Sequence, residues 1–141
     1  MKDIIVEFEG IIMDFPEQLA AIESELLCTK INPDKWSKKE ILGHLIDSAI
    51  INYSRCIRAQ SEENPQIFYD QNEYCKSAFY ADSETLQLRD LWTSLNQQLL
   101  FLFKQILKKD LGYRRCNDNS LEFLIHDYVA HLNHHRKQIL K

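Results

Sequence analysis

The chain has 141 residues, 45% hydrophobic and 27% charged, and reads as one globular domain spanning 1–141. A domain of this size buries about two thirds of its unfolded surface, so it needs neither a disulfide nor a metal to stay folded. Its net charge of −4 argues against nucleic acid as a partner, and no apolar run reaches the ~18 residues of a membrane span, so neither partner is expected.

The opening run breaks its apolar residues with Asp3, Glu7 and Glu9, unlike an export signal. Cys28, Cys56, Cys75 and Cys116 form no C-x-x-C pair and no zinc-knuckle spacing. Reduced thiols in a cytoplasmic protein are the simplest reading.

Only three glycines and three prolines occur, which favours long helices. Ile4 to Phe8 reads as a helical or extended lead-in. A first helix is expected from about Pro16 to Thr29, with proline in the first turn, where its missing N–H is not needed. Ser37-Lys38-Lys39-Glu40 is a capping-box pattern and predicts a second helix running to about Gln60. Phe68 to Tyr80 is aromatic and polar together and is expected to form a short helix inside a long connection. A third helix is expected over Ser83 to Lys109. Asn117 to Ser120 signals a fourth start, with Asn119 and Glu122 as the cap, and the last helix runs to about Ile139. These elements predict an all-α, up-down four-helix bundle with a long loop or short helix between helices 2 and 3.

Three of the five histidines fall within residues 131–135. Taking Leu121 as the centre of the apolar stripe, His135 lies about 40° round and His131 about 80° round on the same side. His134, about 140° round, and His126, on the other side, face water. Imidazoles at i and i+4 can point at one ion from a single rigid helix. A metal needs at least one further ligand, for which His44, Asp47, Asp70 and Asp127 are candidates. On the second helix His44 shares a column with Ser48, Ile51, Asn52 and Arg55, off the apolar arc. Amphipathicity places that column in solvent; the alternative is the polar wall of a cleft beside the fourth helix.

Trp36 to Ser48 (WSKKEILGHLIDS) resembles the second-helix signature of the DinB-like superfamily. Tyr69-Asp70-Gln71-Asn72-Glu73-Tyr74 looks like the loop motif that follows it there, and His126 to Ile139 resembles the family's closing H-x-x-x-H helix. The resemblance runs from Trp36 to Ile139. Lys137 departs from it, standing where relatives often carry glycine.

The resemblance implies a four-helix bundle, frequently a homodimer, with a metal triad at His44, His131 and His135 and nickel or zinc as the ion. Three neutral imidazoles leave a fourth position for water or substrate. It therefore implies a divalent-metal-dependent enzyme acting on a small molecule, either a hydrolase or a thiol S-transferase using a low-molecular-weight thiol. Asp47, Asp70 and Asp127 are candidates for orienting a ligand imidazole, Asp127 one turn before His131. Ser48 and Arg55 are candidate pocket residues, Arg55 for an anionic group. No general base with fixed geometry is legible, so no catalytic residue is named. The rival readings are a non-catalytic metal- or ligand-binding bundle, and a bundle with histidines only as polar core residues.

Overall fold

The first long helix, α1, spans Lys2–Ala20. Ile5, Phe8, Ile11, Ile12, Phe15 and Leu19 are buried on one face, an i, i+3, i+4, i+7 pattern that runs straight past Pro16. Pro16 is therefore inside a helix and not at the start of one. The chain breaks after Ala20, and a single further turn, α2 (Ser24–Cys28), anchors Leu27. The computed structural model describes residues 1–141.

Helix α3 spans Lys38–Ser61 and starts on the capping box. The Ser37 hydroxyl accepts from the Glu40 N–H at 3.1 Å, and the Ser37 N–H donates to Glu40 Oε1 at 3.1 Å. The connection that follows contains α4 (Gln71–Ser77) and a 3₁₀ turn at Tyr80–Asp82, and leads into α5 (Thr85–Lys108). Helix α6 (Leu121–Leu140) closes the fold.

Between α5 and α6 lies a minimal hairpin. Strand β1 (Arg115–Cys116) pairs antiparallel with β2 (Asn119–Ser120), with Arg115 opposite Ser120 and Cys116 opposite Asn119. Its two turn residues, Asn117 and Asp118, have φ of 53° and 66°, the left-handed pair of a tight two-residue turn. The cluster expected to begin the helix thus makes the turn before it. The cap is Ser120, which accepts from the Phe123 N–H, and not Asn119.

The fold is all-α apart from this hairpin, and α1 and α3 each pack against both α5 and α6. Phe8, Phe103 and Tyr128 meet near the middle of the core at ring separations of 5.5 to 5.9 Å, and Phe15 meets Trp92 edge-on at 5.0 Å. Asn96, fully buried, gives its amide to the Trp92 carbonyl and accepts from the Tyr128 hydroxyl. No helix is long and apolar enough to cross a membrane.

Candidate metal centre

Every residue of α3 from Leu42 to Ala49 is buried. This segment is the hub of the fold: α2, α4 and the 3₁₀ turn cover the sides that α5 and α6 leave open. His44 is 1% exposed, and Ser48, in the same column, 4%. The column is not a solvated face: His44 and Ser48 are buried, and Ile51, Asn52 and Arg55 are half-buried. Trp36 and the histidines of α6 cover His44, and the connection after α3 covers the neighbouring face at Gly43 and Asp47 through Tyr80; the helix's own periodicity reports neither.

Gly43 lets that cover come close. A Cβ at this position would lie 2.2 Å from the Tyr80 ring, so only glycine admits the ring against α3. The Tyr80 hydroxyl then donates to Asp47 Oδ1 at 2.5 Å. Asp47 is 4% exposed and its Oδ2 has no partner; burial holds its carboxyl above the usual range.

On α6, His131 and His135 are half-buried beside the apolar stripe, while His126 and His134 are exposed, as the helical phase predicts. The three inward imidazoles converge. His44 Nε2 is 3.2 Å from His131 Nε2, and the ring centres are 5.1 Å (His44–His131), 4.9 Å (His44–His135) and 4.5 Å (His131–His135) apart, all edge-on. One nitrogen of each falls within 4.8 Å of the others. Trp36, just before the cap, lays its ring 4.9 Å from that of His44.

These residues fit a divalent ion. Two nitrogens in a tetrahedral shell at about 2.05 Å from zinc lie about 3.3 Å apart, close to the observed 3.2 Å. All three imidazoles are held neutral, the form that ligates. Burial, then the neighbouring His131 and His135, lowers His44 to about 4. Burial, then His135, lowers His131 to about 4, against a small opposing pull from Asp127. His135 is lowered by burial against a hydrogen bond donated to Gln138 that raises it. That bond, His135 Nδ1 to Gln138 Oε1 at 2.8 Å, leaves Nε2 free. His44 Nδ1 is buried with no partner.

The remaining candidates are dispersed. Arg55 donates Nε and Nη2 to the Ile67 carbonyl at 3.0 and 2.8 Å, holding the connection after α3. Asn117 grips the same residue from the hairpin, accepting from the Ile67 N–H and donating to its carbonyl. Ser48 Oγ accepts from the Asn52 amide. Asp70 caps α4, accepting from the Asn72 and Glu73 N–H groups. Asp127 is exposed and bonds to no triad imidazole. Asn117, Gln138 and Tyr80 carry no metal-site spacing, so nothing in the sequence marked them for these contacts. Three of the cysteines are buried thiols held protonated by burial, Cys56 pushed up to about 12 and Cys75 to about 11, with Cys116 also raised.

The architecture and the cluster define a class: a helical bundle that brings three neutral imidazoles from two helices to one point. The chain belongs to the DinB superfamily, whose family model matches residues 7–139. A protein of Halalkalibacterium halodurans named "Putative metal-dependent hydrolase" is 28% identical over 137 residues, covering 91% of this chain and 80% of its own. One of Bacillus mycoides with the same name is 25% identical over 146 residues, covering 98% and 84%. No solved structure matches significantly.

Proposed function

We propose that the protein is a divalent-metal-dependent hydrolase of a small molecule, with nickel or zinc held by His44, His131 and His135. The observation that carries this is the cluster itself: three imidazoles, one of them almost fully buried, with nitrogens within 4.8 Å and each shifted toward its neutral form. The names of the two relatives support the same reading.

An ion held by these three imidazoles would supply Lewis-acid chemistry. The chain supplies the rest. Gln138 fixes the His135 ring through Nδ1, so that Nε2 faces the other two. Trp36 covers the His44 ring and keeps water from its outer face. Packing of α3 on α6 sets the spacing between His44 and the pair on α6. The homodimer implied by the resemblance belongs to the same proposal.

Elemental analysis of untagged protein is expected to find close to one nickel or zinc per chain, lost in His44→Ala and His131→Ala with helicity retained. His134→Ala is expected to keep the metal, because that ring faces water. Metal stripped by His134→Ala but not by His131→Ala would refute the triad. Turnover of small esters or amides should then fall with chelation and with His44→Ala. Turnover that requires an added low-molecular-weight thiol would mark S-transfer instead, and bound metal with no turnover in either assay would mark a binding protein.

A further inference from the structure

His135 forms part of the wall of a cleft of about 730 Å³, within the ~300–1,000 Å³ of small-molecule pockets. Trp36, whose other neighbour is His44, forms another part, so the cleft reaches the triad at His135. Its frame comes from α2, residues 29–36, the first turns of α3 and α4 and the end of α6.

Charge in the cleft runs against the rest of the molecule. Lys35, Lys38 and Lys141 line it against one acidic side chain, Asp34, in a chain of net charge −4. None of the three lysines forms an ion pair with a side-chain carboxylate. Lys38 Nζ donates to the main-chain oxygen of Lys141 at 2.7 Å, which fixes the ammonium at the rim and leaves two of its three N–H groups free.

The same cleft holds apolar side chains open to water. Leu26 is 55% exposed and Ile31 94%, and both share the wall with Trp36 and Ile41. Apolar surface kept open beside ammonium groups that no side-chain carboxylate neutralises matches a ligand with an apolar body and an anionic end. Resting on the metal-site reading above, we propose that the substrate is an amphiphilic organic anion. Its apolar body lies along Trp36, Ile41, Leu26 and Ile31. Lys35 and Lys38 hold its carboxylate or phosphate, and its reacting group faces His135.

Calorimetric titration of the full chain, zinc-loaded and metal-stripped, with phenylbutyrate, phenyl phosphate and the neutral phenylbutanamide tests this. The anions are expected to bind at least about tenfold more tightly than the amide in both metal states. The tighter of the two anions names the group. Lys35→Gln with Lys38→Gln should bring the anions to within about twofold of the amide and leave the amide unchanged. Lys35→Glu alone, which spares the Lys38–Lys141 bond, should weaken only the anions and stands in if the double variant misfolds. Equal binding of anions and amide, a preference seen only with zinc, a preference that survives the lysine substitutions, or no binding at all would overturn the inference. Zinc content of the same samples separates the two claims. Zinc without an anion preference removes this inference alone; an anion preference without zinc uptake removes the metal reading alone.

Discussion

An imidazole that is buried and faces two others gives up its proton early. His44 and His131 are held at about 4, against an ordinary value of 6.5, chiefly by burial and then by their neighbours. As pH falls from about 6.5 to about 4, the unfolded chain takes up protons that the folded chain refuses. Stability of the metal-free protein is therefore flat above this window and falls through it. Thermal melts from pH about 7.5 to about 4.5 should show that decline, and His44→Gln should make it shallower. A midpoint indifferent to pH over this range would contradict the placement of the rings. At this scale the sequence was legible where one helix decides the outcome: the phase of α6 separates His131 and His135 from His134. It was silent where a distant segment decides. His44 is buried by Trp36 and by the histidines of α6, far along the chain. Arg55 is turned to the Ile67 carbonyl by a backbone that no side-chain pattern announces.

Pro16 shows the same limit at the scale of an element. A proline in mid-helix has no N–H for the carbonyl four residues back, and its ring crowds that turn. Helix α1 tolerates this because six apolar side chains, five before Pro16 and one after it, are buried together on one face. Replacing Pro16 by alanine restores the bond and should raise the unfolding free energy by about 2 kcal/mol, after allowing for the freer unfolded chain. Denaturant titration measures this, and an unchanged midpoint would mean that the helix has already adapted to the ring. The apolar spacing from Ile5 to Leu19 was there to be read, but proline's preference for a first turn outweighed it. The capping box at Ser37 and Glu40 needed no such weighing, because its two reciprocal bonds form between residues three apart. At α6 the helix was legible and its cap was not. A run of four cap-forming residues served first as a tight turn, and only the last of them as a cap.

For the whole molecule, the triad joins α3 to α6 across the bundle, so an ion that binds the folded state alone stabilises all of it. At a hundredfold excess over its dissociation constant, nickel or zinc should add about 2.7 kcal/mol to the stability of the metal-free protein. His131→Ala should melt at the same temperature with and without metal. A wild-type melting point unmoved by either ion would place the histidines among ordinary core residues. The bundle could be foreseen because four long amphipathic segments have few other ways to cover their apolar faces. The order of packing, in which α3 is wrapped by its own downstream connection, could not.

The closest nitrogens of the site belong to residues 87 positions apart. On a ribosome, a chain that has extruded α3 and nothing beyond α5 offers the ion one imidazole of the three. The other two arrive together, one turn apart on α6. The site thus appears in a single step, once α6 has emerged, and choice of metal falls to the packed helices rather than to the chain before them.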